Sequence, residues 1–323
     1  MKTRFIRDSK QKLFAKHDAG DFDEVNLIVS ASRGGSTFVF DTLAKHRGFA
    51  SPDGEHGKWY RKHDLCYPYL TNERLLSDFD DYCRKQLLTD IIRDVGVYTD
   101  QDDRWLNAFE NNMLRLQLQF PERNFSPSIA KHIMRKGGTW KDVLEEFNID
   151  YRLYDEFADE DIEIEFIRDT IEEPPFITTD RSKRRLVATD FSTKSLLLKT
   201  SVDAYRLGWV VNNLFKDSKV NVLHLTRNPA ASVNGLIDGW QLNRGFQTYD
   251  VNTSYIKNYD NSRWNYDLPP RHHRGKLSDV CLNQWTQAHA HILELKERFP
   301  ENADYKRMKF ENFLQHRHET FAD

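Results

Sequence analysis

The residues of this chain best equipped for chemistry sit in one short run, Ser30-Ala31-Ser32-Arg33-Gly34-Gly35-Ser36-Thr37-Phe38. A basic side chain stands before two glycines and two hydroxyl residues. Glycines let the backbone turn sharply and come close to a ligand with no Cβ in the way. Ser36 and Thr37 then open a helix, and the unpaired N–H groups and positive dipole end of a helix favour an anion. The arrangement is that of a phosphate-binding loop. It is not the nucleoside-triphosphatase version, which needs G-x-x-x-x-G-K-[ST] so that a lysine reaches the outer phosphates and a hydroxyl holds magnesium. Here Arg33 precedes the glycines and no lysine follows them. A second basic residue, Arg227, closes the apolar run Val222-Leu223-His224-Leu225-Thr226 and is followed by Asn228-Pro229.

The elements that must hold these residues read as follows. Val25 to Val29 is a short β-branched run that suits the central strand of a parallel sheet. Val39, Phe40, Leu43 and Ala44 recur at helical spacing, predicting a helix to about Arg47 that packs on that sheet. A short strand over 48–51 follows, leaving into the turn Pro52-Asp53-Gly54-Glu55-His56-Gly57. Residues 58–185 change character: they are aromatic and charged, with helical periodicity in pieces such as Leu106-Phe109-Met113-Leu116. Strand-like runs resume at Leu186-Val187-Ala188-Thr189 and at Ser195 to Thr200. A helix from Val202 to Phe215, a strand from Lys219 to Leu225 and a helix from Ala230 to Trp240 come next. After a loop-like stretch at 241–277, Ser278 caps a long helix through Phe299, and Tyr305 to Phe310 reads as a last strand. This alternation predicts a single α/β domain over 1–323 built on a doubly wound parallel sheet. Its core is 25–57 and 186–313, and 58–185 is a mostly helical insertion capping one end. Ligands of such sheets sit beyond the carboxyl ends of the strands, where both Arg33 and Arg227 fall.

Composition removes several function classes. A formal net charge of −3 argues against a dedicated nucleic-acid binder. No apolar stretch approaches the roughly 20 residues of a membrane helix, and the charged N-terminus, Met1 to Asp8, lacks the apolar core of a signal peptide. Cys66, Cys83 and Cys281 form neither a disulfide framework nor a zinc spacing. The expectation is a cytoplasmic chain with no metal and no nucleic-acid or membrane partner; a homodimer is left open.

A strand, Arg33-Gly34-Gly35-Ser36-Thr37 and a helix resemble the 5′-phosphosulfate loop of sulfotransferases that use 3′-phosphoadenosine 5′-phosphosulfate (PAPS). The resemblance implies a P-loop-like fold in which Arg33 to Phe38 hold the 5′-phosphate. The run ending in Thr226-Arg227-Asn228-Pro229 resembles the same family's 3′-phosphate motif, in which the arginine grips that phosphate as a planar guanidinium can. The family carries a serine eight residues after this arginine; position 235 is Gly, and Ser232, one turn earlier on the same face, is the substitute. Leu197-Leu198-Lys199-Thr200-Ser201 resembles a family stretch whose histidine is the base, but Ser201 occupies its place. Lys199 would offset charge on the reacting group together with Arg33. Carbohydrate and several bacterial members place a glutamate near the turn after the loop helix, which implies Glu55, or its neighbour His56, as the base. A carboxylate does this if a dry pocket raises its pKa. Tyr305 to Phe313 resembles the late strand of the family and its Glu-[Asp/Asn]-[Leu/Phe] ending.

The implied reaction moves a sulfuryl group from PAPS, leaving 3′-phosphoadenosine 5′-phosphate (PAP), to a hydroxyl or amine of a small acceptor. Trp59, Tyr60, Trp105, Phe109 and Trp140 are candidate pocket walls. The acids Asp100, Asp102, Asp103, Asp155, Glu156 and Asp159 suit a cationic acceptor, for which a saxitoxin-type guanidinium alkaloid is one family precedent. Arg271-His272-His273-Arg274 is either a cover for the 3′-phosphate or a solvated loop. Two rivals stand beside this reading: an ATP-dependent kinase, and a binding protein without catalysis on the same fold.

Overall fold

The computed structural model describes residues 17–63, 65, 80–99, 109, 112–113, 116, 120, 123–149, 183–241, 249–250, 256–257, 263–264 and 275–316. At its centre lies a seven-stranded sheet. Its strands are β1 (Glu24–Val29), β2 (Phe49–Pro52), β3 (Val95–Tyr98), β4 (Lys183–Arg185), β5 (Ser195–Lys199), β6 (Lys219–Thr226) and β11 (Asp304–Lys309), in the order β11-β6-β1-β5-β2-β3-β4. The five from β11 to β2 run parallel, as expected of a doubly wound sheet. Four two-residue strands make separate pairs outside it: β7 (Tyr249–Asp250) with β9 (Arg263–Trp264), and β8 (Ile256–Lys257) with β10 (Gly275–Lys276).

Side-chain alternation explains why the sheet is covered on both faces. Val25, Leu27 and Val29 of β1 share one core with Leu196 and Leu198 of β5 and Val220 and Val222 of β6, while Ile28, Leu197 and Leu225 fall on the other side. The first face is closed by α7 (Asp203–Trp209), its continuation over Val210–Leu214 in a wider π-helical turn, and α9 (Leu277–Arg298). The second is closed by α1 (Ser36–Leu43) and α10 (Phe310–His316), through Val39, Phe40 and Phe313. The remaining helices are α2 (Gly57–Lys62), α3 (Asp81–Ile92), α4 (Pro127–Arg135), α5 (Trp140–Glu146), the single turn α6 (Asp190–Thr193) and α8 (Pro229–Gln241).

Four expectations are corrected. The segment 58–185 is not merely a helical cap: β3 and β4 lie within it and extend the sheet, β3 antiparallel to β2 and β4 antiparallel to β3. Leu186 to Thr189 is not a strand. The strand is the charged triplet before it, Lys183–Arg185, and Asp190 draws the chain out by accepting from Val187 N (2.8 Å) and from both terminal nitrogens of Arg184 (2.7 Å each). The loop helix ends at Leu43 rather than Arg47, and the long helix starts one residue before Ser278, with Asp279 accepting from Lys276 N.

Four of the five aromatic wall candidates are buried. Trp59 and Tyr60 belong to the main core, whereas Phe109 and Trp140 stack in a separate core with Met113, Phe125, Val143 and Leu144. Trp105, Asp100, Asp102, Asp103, Asp155, Glu156, Asp159 and Arg271 to Arg274 lie outside the described residues. Among the described residues, no helix is long and apolar enough to cross a membrane.

Candidate active site

Four strand ends meet on one edge of the sheet, side by side in the order β6, β1, β5, β2. They deliver, in that order, Arg227, the Arg33–Thr37 loop, Lys199 with Thr200, and Glu55 with His56. Parallel neighbours lie about 4.8 Å apart, so the row spans roughly 14 Å.

The loop is held by its own backbone. Gly34 N donates to Ala31 O (3.1 Å), and Gly35, at φ 87°, is the N-cap of α1 and brings no side chain to the first turn. The first N–H groups of α1 are thus left for a ligand. The protein's own packing already excludes a side chain at both glycines. A Cβ on Gly34 would lie 2.8 Å from Ala31 O, and one on Gly35 would lie 2.5 Å from the Phe310 ring. Arg33 is also left-handed, at φ 63°, a conformation costing a non-glycine residue about 1–2 kcal/mol. Its surroundings maintain it: Arg227 Nη1 donates to Arg33 O (3.0 Å).

Arg227 is buttressed from α10. Its guanidinium lies over the Phe310 ring at 5.4 Å, a cation–π placement. The next residue, Glu311, accepts from Asn228 N (2.8 Å); that bond, with the Arg227 and Lys309 charges behind it, holds the Glu311 carboxyl below the ordinary range. Asn228 Oδ1 in turn caps α8 through Ala230 N (2.9 Å). Phe38 is half-exposed on α1 and meets Phe310 and Phe313 edge-on.

At the other end of the row, Lys199 is 3% exposed, so it is not a strand-end lysine in solvent. Its Nζ donates to Thr37 Oγ1 (2.8 Å) and to Glu55 Oε1, while Thr200 Oγ1 donates to Glu55 Oε2 (3.0 Å). One lysine therefore joins the phosphate loop to the carboxylate. The Glu55 side chain is 36% exposed, turned partly toward the open edge. Burial alone would raise its carboxyl, but the Lys199 ammonium, the Lys199 and Thr200 hydrogen bonds and the His56 ring outweigh it and hold the group below the ordinary carboxylate value. This corrects the expectation of a raised pKa.

His56 differs from the expectation as well. It is fully buried, its Nε2 set against Asp203 Oδ2 (3.0 Å) and Tyr60 OH (3.2 Å), with Tyr60 OH donating to Asp203 Oδ1 (2.9 Å). A carboxylate only accepts, so Nε2 carries the proton. His56 stands behind Glu55, not beside it at the opening. Ser232 is likewise fully buried, with no hydrogen-bond partner for its Oγ among the described residues. The helix position that meets the loop is Gly235, where a Cβ would lie 3.3 Å from Arg33 Cβ and 3.5 Å from its Nε.

Sequence reasoning did not find Asp203 or Lys183, nor the contacts that Tyr60 and Gly235 make. The last is 6% exposed on β4 and donates to Ser51 O (2.9 Å), Ser51 Oγ (2.8 Å) and Pro52 O (2.8 Å), with Asp53 at 3.2 Å. It thereby fixes the turn that carries Glu55. Phe310 and Glu311 were signalled by the late-strand pattern, though not their contacts.

No protein-family model matches the chain, and no curated protein matches it. Among solved structures, it is similar to the sulfotransferase domain from the curacin biosynthetic pathway, with 11% identity over 92% of this chain and 70% of that one and a TM-score of 0.38. It is similar also to the sulfotransferase domain from the Synechococcus PCC 7002 olefin synthase, with 11% identity over 93% and 70% of the two chains and a TM-score of 0.37.

Proposed function

We propose that this protein is a sulfotransferase that takes PAPS as donor and a small hydroxyl- or amine-bearing molecule as acceptor. The observation that carries the reading is the row of strand ends: a buttressed arginine, an uncapped helix start, a lysine bonded to both loop and carboxylate, and a carboxylate at the opening. The residues fit a nucleotide carrying phosphates at its two ends. Arg227 would take the 3′-phosphate, and Arg33, the N–H groups opening α1 and Thr37 the 5′-phosphate.

The chemistry asked of the chain is alignment and charge control. Glu55 takes the proton from the acceptor group as its oxygen or nitrogen bonds to sulfur. The bond between sulfur and the 5′-phosphate oxygen breaks, and its electron pair stays on that oxygen, giving PAP. Lys199 and Arg33 offset the charge that collects there. Glu55 is ionised, as a proton acceptor must be, and its bonds to Lys199 and Thr200 make it a weak base. A cationic acceptor such as a guanidinium alkaloid rests on the acid residues of 100–159 alone.

Calorimetric titration with PAP, wild type beside Arg227→Ala, tests the reading. Micromolar binding that collapses in the variant supports it. Binding of ATP but not PAP would replace it with the kinase, and silence toward both would leave a fold without this function.

A further inference from the structure

Lys199 joins two groups that an arriving anion would affect differently. An ammonium has three donors; here one goes to Thr37 Oγ1 in the first turn of α1 and another to Glu55 Oε1, so an anion beside Thr37 would engage the same head group. The first turn of α1 is where an anion would sit. The lysine is buried and pinned by the strand it ends, so it can shift its head but not leave. We propose that Lys199 is a positioning residue that couples the two half-sites: a phosphate-bearing nucleotide on the loop draws its ammonium toward α1 and frees Glu55 to accept a proton. This rests on the sulfotransferase reading and adds a link between its two half-sites: with the loop empty, the carboxylate is engaged by Lys199 as well as by Thr200.

Every charge around Glu55 is consistent with this direction. From β5 come Lys199 and the Thr200 hydroxyl; from its own turn comes His56, whose proton on Nε2 is already given to Asp203 of α7 beside Tyr60 of α2. Behind the turn, Lys183 of β4 is matched by Asp53. Lys199 is thus the one cation bonded directly to Glu55 among the described residues, and the incoming phosphate adds negative charge nearby. Both effects make Glu55 bind a proton more readily when the loop is filled.

The test needs no acceptor. PAP is titrated calorimetrically at pH 6 in buffers of different ionisation enthalpy, which reads the protons exchanged on binding. The phosphates of PAP contribute an exchange of their own, so the informative quantity is wild type minus Glu55→Gln. A Glu55-dependent proton uptake is expected, so that PAP affinity falls more steeply with rising pH in wild type than in Glu55→Gln. Lys199→Met, which leaves Glu55 without its cation in either state, should abolish that difference while circular dichroism shows it folded. Equal proton counts in wild type and Glu55→Gln, with PAP bound to both, overturn this coupling and leave the sulfotransferase reading standing. Failure of wild type to bind PAP at all overturns both.

Discussion

Replacing Gly235 tests how the loop arginine is held. In the resemblance to PAPS enzymes this position would be a serine contacting the donor, and on that view Gly235→Ser should improve donor binding. The structure argues the opposite. A Cβ here would meet Arg33 Cβ at 3.3 Å, Nε at 3.5 Å and Cγ at 3.6 Å. Arg33 cannot yield at its backbone, which is left-handed at φ 63° with its carbonyl bonded to Arg227. The guanidinium must therefore swing. Loss of one charge-assisted hydrogen bond costs about 1.5–3 kcal/mol, so PAP should bind roughly 10- to 100-fold more weakly to both Gly235→Ala and Gly235→Ser. Folding stability should not follow. Glycine inside a helix is about 1 kcal/mol worse than alanine, a gain that offsets a contact only a few tenths of an ångström too close. Titration calorimetry with PAP, paired with thermal melts, separates the two quantities. Wild-type affinity in either variant, or tighter binding in the serine variant, would refute the argument. So would a loss of binding that merely tracks a fall in melting temperature.

Three further outcomes are expected. Gly35→Ala combines a φ of 87° with a Cβ 2.5 Å from the Phe310 ring, so urea unfolding should show a loss of about 2 kcal/mol or more, partly recovered by Phe310→Leu. Lys183→Met removes the donor to three buried oxygens and the cation beside Asp53, which is 3% exposed; about 3 kcal/mol or more should be lost in the same assay, and Lys183→Arg should lose less. The pair His224–His289 is joined by a 2.8 Å hydrogen bond, and burial first, then the neighbouring charges, push both rings down to about 4. Because the unfolded rings take protons near 6.5 and the folded ones do not, stability is full above pH 6.5 and declines as pH falls toward 4, by about 3 kcal/mol for the first ring. Denaturant midpoints measured between pH 7 and pH 4 should show that slope, and His289→Gln should flatten it.

What the sequence made legible was whatever is local. The strand, turn and helix around Arg33-Gly34-Gly35-Ser36-Thr37 declare themselves because an apolar run, paired glycines and a hydroxyl start lie within one short window. Arg227 was legible for the same reason, with Pro229 marking the helix that follows. Glu55 was reached through the resemblance, from its place after the loop helix; the Gly, Pro and Asp around it mark only a turn. The partners were not legible. Lys199 meets Glu55 only because β5 lies between β1 and β2 in the sheet, a register no local pattern encodes. His56 was placed correctly in the chain yet not in depth, since its burial depends on Asp203 and Tyr60 reaching it from two helices. Lys183-Arg184-Arg185 shows no apolar strand pattern, and it is a strand because its lysine finds carbonyls at the end of β2 and its first arginine finds Asp190.

Glycine residues show the same division most sharply. From composition alone, Gly34, Gly35 and Gly235 carry one message, that a Cβ is unwelcome. The structure gives each absence a separate cause: the tightness of the turn at Gly34, the Phe310 ring at Gly35, and the Arg33 stem at Gly235. Two of those three causes come from elements far along the chain, and both bear on the same arginine pair. Phe310 presses on Gly35 with one side while Arg227 lies over its ring, and Arg227 holds the carbonyl of the residue whose stem crosses Gly235. The loop is therefore not a preformed motif to which an arginine was added. It is one corner of a packed unit made by β1, β6, α8 and α10, and the departure at position 235 is part of what lets that unit close.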